Sequence, residues 1–276
     1  MLALYPKLFK KYVLFSALLI AGVAAVLILR PEASRPVWIL MGVLGLLALL
    51  VSMSQQAMRE HEKELKRLYN EMDAAGFARD YEPHLSQKFW SSDTEVMVRM
   101  HLSNAYIALG EFRRAREVLD YTQPEGKKKK EALLFNRFAL GSNLCFVEEE
   151  EGNVQEARRR YDELIEIRRE LEELQLAKPE NKRAEFSTEL TELCLRLLET
   201  GKTDAEALKN QVRASGRMLQ KVTVSLWAAR ACLAEHQRKE AEKLLRRIVE
   251  LSPELYPGRE AKKLLASLLG EAEEEN

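Results

Sequence analysis

The sequence predicts an all-α protein, with an N-terminal transmembrane helical hairpin followed by a solenoid of paired helices. Residues 13–29 and 37–53 are two uncharged apolar runs. Each is close to the ~20 residues that a helix needs to cross ~30 Å of hydrocarbon. The remaining chain, about 220 residues, is rich in charge, and only 7% of all residues are aromatic. Glycine and proline are also scarce, at 12 and 8 residues, which favours helices over a sheet-rich fold.

The connector between the two runs, residues 30–36, is too short to run back along a helix, so the spans are expected to be antiparallel neighbours. Its two prolines suit helix boundaries at the membrane interface. Neither span contains an ionisable side chain, which favours an anchor over an ion pathway. Basic residues flank the spans on their outer sides (Lys7, Lys10, Lys11, Arg59, Lys63, Lys66, Arg67), whereas the connector holds only Arg30 and Arg35. This asymmetry predicts that both termini and the soluble domain are cytoplasmic.

Two other interpretations of the apolar runs are weaker. A cleavable signal peptide fits the first run, but no A-x-A site follows it and a second full-length span comes next. A buried hairpin of a soluble protein would rarely carry two charge-free runs of this length. Small residues repeat along both spans, at Ala17, Ala21, Ala25, Gly42 and Gly45. They either form the seam where the helices touch or reflect the ordinary abundance of Ala and Gly in such helices.

Composition argues against several classes of function. The 43 basic and 43 acidic residues balance, so no net basic charge recommends nucleic acid as a partner. Cys145, Cys194 and Cys232 form no C-x-x-C pair and no metal-ligand spacing with the four histidines, so we expect buried thiols in a reducing compartment and no cofactor or metal. No nucleotide-binding or hydrolase motif occurs, and the carboxylates lie in surface-type runs such as residues 148–151. We therefore expect no catalysis, and no small-molecule substrate is evident.

Residues 102–119 predict a helical hairpin. An apolar helix ends at Gly110, which permits a left-handed C-cap, and a second helix follows with a small residue, Ala115, where the two cross closely. The pattern is carried by Leu102, Tyr106, Gly110, Phe112, Ala115 and Leu119. It resembles the tetratricopeptide repeat (TPR), although Pro124 falls three residues earlier than in that family.

Three further units resemble the same repeat less closely. One keeps Gly152 and Ala157, with Glu148 at the place of the tyrosine, and its spacing from the first unit predicts extended helices around residues 127–151 and 153–176. The last keeps Ala241 and Pro253, with His236 in place of the hinge glycine. A degenerate unit between them contains Ala207, which precedes Ala241 by the family period of 34 residues.

The predicted domains follow from these units. Residues 1–56 form the membrane anchor, and residues 57–92 form a helical stalk and a first helix pair, with a turn at Gly76 before a helix around 77–90. Residues 93–254 form the TPR-like repeats. Residues 255–276 form a capping helix and an acidic tail, which an open solenoid needs for solubility.

The resemblance implies that a partner binds along the concave face formed by the first helix of each repeat. The candidate residues are Met97, Met100, Asn104, Ile107, Thr223, Leu226, Arg230 and Leu233. Asn104 stands where many family members hold a peptide backbone, but Met100 replaces the lysine of the carboxylate-clamp members. An apolar, Met-containing groove suits an amphipathic helix or an extended apolar segment. Alternatively, these side chains pack against the next repeat.

The sequence therefore leads us to expect an integral membrane protein of the bacterial type that scaffolds a protein partner at the cytoplasmic membrane surface. Besides that protein or peptide, the lipid bilayer is its expected partner, and the basic residues 127–130 either contact anionic headgroups or form a solvated loop. One alternative is an accessory or assembly subunit of a larger membrane complex, with the hairpin as part of the interface. A more distant one is an enzyme with an unrecognised site. The sequence does not specify the partner, the oligomeric state or the number of repeats.

Overall fold

The structure is a computed structural model that describes residues 5–29, 35–86, 91–124, 129–174 and 178–274. Every regular element in these ranges is helical, and they contain no strand. The helices are α1 (Pro6–Leu29), α2 (Arg35–Tyr69), α3 (Ala74–Tyr81), α4 (Ser92–Leu109), α5 (Phe112–Leu119), α6 (Lys130–Glu150), α7 (Val154–Glu173), α8 (Lys178–Thr200), α9 (Ala205–Ala214), α10 (Met218–Ala234), α11 (Arg238–Leu251) and α12 (Tyr256–Glu274). An all-α fold is thereby confirmed.

The chain divides into two compact units, and the boundary falls inside α2. The hairpin unit comprises Met1–Leu65 and Ser86–Trp90, and the helical domain comprises Lys66–Leu85 and Ser91–Asn276. This boundary lies nine residues beyond the predicted end of the anchor at residue 56.

Helices α1 and α2 are both long and apolar enough to span a membrane, and most of their apolar side chains are exposed. Within the hairpin unit they run antiparallel. The Tyr12 hydroxyl shares a hydrogen bond of 2.8 Å with the Ser52 hydroxyl near one end. Farther along, Gly45 faces Leu19, whose side chain would lie 2.8 Å from a Cβ atom added at the glycine. A glycine at this position therefore lets the two helices approach closely.

The small residues of α1 do not contribute to this seam. Ala17, Ala21 and Ala25 are exposed, whereas Leu19 and Val23 on the same helix are half-buried against α2. The predicted seam is therefore correct for the glycines of α2 and wrong for the alanines of α1. Both faces of α1 are apolar, so composition alone cannot distinguish the face that packs from the face that does not.

The helical domain begins with the last turn of α2 and a tight turn. Helix α2 ends at Tyr69, and Met72 then adopts a left-handed conformation, with φ 58°. The Asp73 side chain caps α3 by accepting from the Gly76 amide at 2.9 Å. The turn predicted at Gly76 therefore lies earlier in the chain. Gly76 is helical, and a Cβ atom there would lie 2.1 Å from the Arg67 guanidinium, so its role is to make room for the Arg67–Asp73 ion pair.

The helix predicted around residues 77–90 is shorter than expected. Helix α3 ends at Tyr81, and a 3₁₀ turn, Glu82–Ser86, follows it. Pro83 has no amide hydrogen to donate to an α-helical ladder, which accounts for the change of helix type. Residues 87–90 lie outside the described ranges.

Four helical hairpins make up most of the helical domain, and a left-handed residue forms each turn. Gly110 joins α4 to α5, Gly152 joins α6 to α7, Gly201 joins α8 to α9, and His236 joins α10 to α11, with φ values of 73°, 73°, 67° and 60°. The breaks predicted at the first two glycines and at His236 are confirmed. Helices α6 and α7, with 21 and 20 residues, have the extended length that the spacing predicted.

Small residues are buried where the helices of each hairpin meet. Ala115, Ala157 and Ala241 are fully buried, in agreement with the sequence pattern. In α9 the fully buried alanine is Ala205, and the predicted residue, Ala207, is only half-buried. Asp204 caps α9 and so fixes its first turn, which places Ala205 inward. Ala207 and Ala241, which are 34 residues apart, therefore do not occupy equivalent positions in their helices.

The C-terminal helix does more than cap the last hairpin. Helix α12 packs against α10 and α11, and it also contacts α4 of the first hairpin. The Phe112 and Tyr256 rings meet edge to face with their centroids 4.9 Å apart, and Arg259 donates to the Leu109 carbonyl at 2.7 Å. An open solenoid lacks such contacts, because each repeat touches only its neighbours. The predicted open end is therefore replaced by a helix that contacts both the first and the last hairpin.

Candidate functional site

The first half of the predicted concave face lies on α4, where one of its four residues is buried and three are half-buried. Ile107 is buried, and Met97 and Met100 are half-buried. Asn104 donates its side-chain amide to the Tyr69 hydroxyl at 3.0 Å. The asparagine expected to hold a peptide backbone is therefore engaged within the helical domain.

Tyr69 is the centre of a polar cluster around Asn104. Its hydroxyl also shares a hydrogen bond of 2.7 Å with His101 Nδ1, and the Arg217 guanidinium lies 4.2 Å from the centroid of its ring. Burial raises the pKa of Tyr69 to about 12, so its hydroxyl remains protonated at physiological pH. The cluster joins the end of α2 to α4, which gives these residues a structural role.

The second half of the predicted face lies on α10 and is also occupied. Leu226 is fully buried, and Thr223 and Leu233 are half-buried. Arg230 donates to Glu150 Oε2 of α6 at 3.0 Å. Of the predicted concave residues, Arg230 thus contacts another hairpin and Asn104 contacts the end of α2, while Met97, Met100, Thr223 and Leu233 remain half-buried.

Arg230 and Glu150 form the most deeply buried ion pair described in the helical domain. The side chain of Arg230 is 22% exposed and that of Glu150 is 1% exposed. Tyr256 of α12 donates to the same carboxylate oxygen at 2.9 Å, and Arg230 also lies over the Trp227 ring, 4.6 Å from its centroid. Burial, followed by the charge of Glu150, raises the pKa of Tyr256. These contacts link α6, α10 and α12.

The acidic run at residues 148–151 is not a surface run, as the sequence had suggested. Glu148 is buried and accepts two hydrogen bonds from Arg116 Nη2, each 2.9 Å long. Glu149 is buried as well, and its Oε2 atom has no hydrogen-bond partner among the described residues. Burial raises the pKa of Glu149 well above its ordinary value, and the neighbouring charge of Glu150 raises it further. A signal was available in the sequence, because the run directly continues the apolar residues of α6 and Glu148 stands at an inward-facing repeat position.

One of these buried acids, Glu149, lies beside a buried thiol, that of Cys145. The three cysteines are reduced and buried, and burial raises the pKa of the Cys145 thiol beside Glu149. No group of three His, Cys, Asp or Glu side chains that could hold a metal ion occurs among the described residues. A cavity is lined by Glu148 of the acidic run, together with Arg116 and the first residues of α7.

A groove with a volume of 790 Å³ lies between the end of α5, helix α6 and helix α7. This volume is within the range of about 300–1,000 Å³ that is typical of ligand sites. Its apolar lining consists of Leu119, Leu133, Leu134, Leu140, Gly141, Leu144, Leu164 and Ile167. Its polar rim consists of Tyr121, Thr122, Gln123, Lys130, Arg137, Arg160, Glu163 and Glu170. None of these residues belongs to the predicted concave face.

The groove exists because α5 is short. Helix α5 has 8 residues, whereas α11, the corresponding helix of the last hairpin, has 14. After Leu119 the chain leaves the helix and runs along α4. There Tyr121 donates to Glu95 at 3.1 Å and Gln123 donates to Asp93 at 2.9 Å. Six residues of helix, fewer than two turns, are therefore missing beside α6 and α7. Pro124, placed early relative to the repeat pattern, was the sequence signal for this.

The charges on the rim of the groove do not balance. Lys130 pairs with Glu170 at 2.8 Å, and Arg160 pairs with Glu163 at 3.4 Å. Arg137 is exposed, and no hydrogen bond or ion pair to it occurs within the described ranges. The charge of Arg137 nevertheless acts on Glu170. The three cations and two carboxylates of the rim leave it with a net charge of +1.

No protein-family model, curated protein or solved structure has a significant match to this chain. The functional assignment therefore depends on the residues and contacts described above.

Proposed function

We propose that this protein is a membrane-anchored adaptor whose helical domain binds a protein partner and performs no catalysis. The observation that carries the proposal is the groove between α5, α6 and α7, with its apolar lining and a rim of net charge +1. It lies on a domain that follows two helices apolar enough to span a membrane. Anchoring would raise the effective concentration of the bound partner near the bilayer.

We assign the helical domain to the TPR-like class of paired-helix arrays. The support is local: left-handed turns at Gly110 and Gly152, each followed five residues later by a buried alanine, Ala115 or Ala157. The contact of α12 with both the first and the last hairpin departs from the open form of such arrays. The proposed class therefore describes the individual hairpins. It does not describe the arrangement in which α12 contacts both the first and the last of them.

We place both termini and the helical domain in the cytoplasm. The support is the distribution of basic residues around the apolar helices. Three lysines lie in the first two turns of α1, and four basic residues follow the apolar part of α2. Three buried, reduced cysteines are compatible with a reducing compartment.

Proximity labelling in intact cells tests this function. A labelling enzyme fused after the last residue, Asn276, is compared with the same enzyme on an unrelated two-span anchor. The proposal predicts selective enrichment of one or a few cytoplasmic or membrane proteins over that control. Labelling of extracytoplasmic proteins alone would overturn the topology, and identical labelling by both fusions would overturn the adaptor function.

An accessory subunit of a larger membrane complex is the second candidate function. The observation that favours it is the exposure of Ala17, Ala21 and Ala25 on one face of α1, because small side chains let another helix approach closely. Ala21→Leu should then reduce co-purification with a membrane complex. Leu47→Phe, on an exposed face of α2, is the matched control. The adaptor function predicts that neither substitution changes which proteins are labelled.

A further inference from the structure

We infer that the groove between α5, α6 and α7 holds a short amphipathic helix of a partner protein, with an acidic side chain beside its apolar face. This inference rests on the proposed adaptor function and specifies the kind of partner. Three features of the groove support it: its shape, its lining and its charge.

The shape fits a helix because the groove occupies the space of missing helical turns. Helix α5 is six residues shorter than α11, which corresponds to about 9 Å of helix. The lining on α6 extends from Lys130 to Leu144, about 21 Å along the helix axis. A helix anchored by residues i, i+3 or i+4, and i+7 needs about 10 Å, so the groove accommodates such a set.

The lining presents apolar side chains along one face of α6. Leu133, Arg137, Gly141 and Leu144 lie on the same face of α6 and all line the groove. Leu133 and Leu144 are half-buried, so part of their apolar surface is available to a partner. Gly141 has no side chain, and Leu164 would lie only 3.1 Å from a Cβ atom added there. The glycine therefore lets α7 pack closely against α6 at the floor of the groove.

The charge selects an acidic occupant. Glu170 pairs with Lys130 and also feels the charge of Arg137, while Glu163 pairs with Arg160. The three cations and two carboxylates of the rim therefore leave a net charge of +1, and Arg137 makes no hydrogen bond or ion pair within the described ranges. A carboxylate on the partner would complement it, and charge complementarity at a rim sets specificity and orientation. An extended peptide is disfavoured, since the described residues contain no strand whose edge could pair with its backbone.

The test uses the full-length protein in nanodiscs of neutral phosphatidylcholine, with a photo-crosslinking amino acid in place of Leu133. The probe is a labelled synthetic peptide of about three helical turns, with leucines along one face and glutamates beside them. A second peptide carries lysines in place of the glutamates. Because the product forms only near residue 133, adsorption of the peptide to lipid does not contribute to the signal. A crosslinker in place of Arg247, exposed on α11, is the positional control.

We expect the acidic peptide to crosslink at residue 133, at a half-maximal concentration about three- to tenfold lower than that of the basic peptide. Arg137→Glu should reverse this preference. Arg247→Glu, combined with the crosslinker at residue 133, should leave it unchanged. Arg137 is exposed, and an unaltered circular dichroism spectrum and melting temperature would show that its variant is folded.

Equal crosslinking of the two peptides, or a preference that Arg137→Glu does not change, would overturn the inference. Crosslinks formed with added phosphatidylglycerol vesicles in preference to the peptide would show a lipid site. Crosslinks between two copies of the chain would show self-association. Either result would also overturn it. Failure of the adaptor function would be seen separately, as identical labelling by the fusion and its anchor control in cells.

Discussion

Replacing Arg230 by methionine is expected to destabilise the helical domain strongly. Arg230 is the cation that pairs with Glu150, whose side chain is only 1% exposed. Methionine keeps much of the volume and apolar contact of arginine but removes the charge and the hydrogen bond. The carboxylate of Glu150 then remains buried with a single described donor, Tyr256.

The expected loss is about 3 kcal/mol. Breaking a buried ion pair by removing one partner typically costs about 3–5 kcal/mol, because the remaining charge is buried without compensation. The lower end applies here, since the Arg230 side chain is 22% exposed and Tyr256 still donates to Glu150. For a domain of this size, each kcal/mol lowers the melting temperature by about 2–4 °C, so a fall of roughly 6–12 °C is expected.

The measurement is thermal and chemical denaturation of the full chain in detergent, followed by circular dichroism at 222 nm. The double variant with Glu150→Met is the informative comparison. Replacement of both members of a buried pair by apolar residues is often neutral or stabilising, so the double variant should recover much of the loss. The coupling energy between the two sites then measures the interaction directly.

An unchanged melting temperature in Arg230→Met would refute this reasoning. If the same variant also lost its proximity-labelled partners while remaining fully folded, Arg230 would be a binding residue on an accessible concave face. The family resemblance would then have placed the partner correctly, and the structural role assigned here to the Arg230–Glu150 pair would be wrong.

Two further pairs of variants test the interior of the helical domain by the same denaturation measurement. Folding raises the pKa of Glu149 well above its ordinary value of 4.5. The neutral carboxyl therefore makes its whole contribution to the free energy of unfolding below pH 4.5. That contribution is lost as the pH rises from 4.5 through the pKa of the folded state. Glu149→Gln should therefore stabilise the protein by about 1–3 kcal/mol at pH 8 and have little effect at pH 4. In contrast, Glu148→Gln weakens the hydrogen bonds from Arg116, so it should destabilise the protein by about 1–2 kcal/mol. A destabilised Glu149→Gln at pH 8 would contradict this account. Gly110→Ala and Gly152→Ala should each cost about 1 kcal/mol for a left-handed alanine, with roughly another 1 kcal/mol at Gly110, where the new Cβ would lie 3.0 Å from Tyr256 of α12. Equal losses would show that α12 does not pack there in solution.

The parts of the fold that depend on local sequence were predictable. Gly110 and Gly152 mark left-handed turns because only a residue without a Cβ atom adopts them at little cost, and both turns occur where the pattern placed them. The two apolar helices follow from their composition and length in the same way.

The buried ion pair and the groove both depend on contacts between residues that are far apart in the sequence, which no local pattern reveals. Glu150 is buried by Arg230 and by Tyr256, which is 106 residues away in the sequence, so its neighbours could not be inferred from the acidic run itself. The groove arises from the early end of α5 at Leu119, which in turn depends on hydrogen bonds from the following segment to α4. Its partial signal, Pro124, was visible, but it was interpreted only as a departure from the repeat pattern.

The most direct test of the central claim is photo-crosslinking from residue 133 in living cells. A crosslinker in place of Leu133 should give a discrete crosslinked protein, and one at the control position, Arg247 on α11, should give none. The crosslinked protein should also be among those labelled from the C-terminus. The account would be contradicted if residue 133 gave no protein product beyond that of the control position, because the groove would then not be the partner-binding site of this protein.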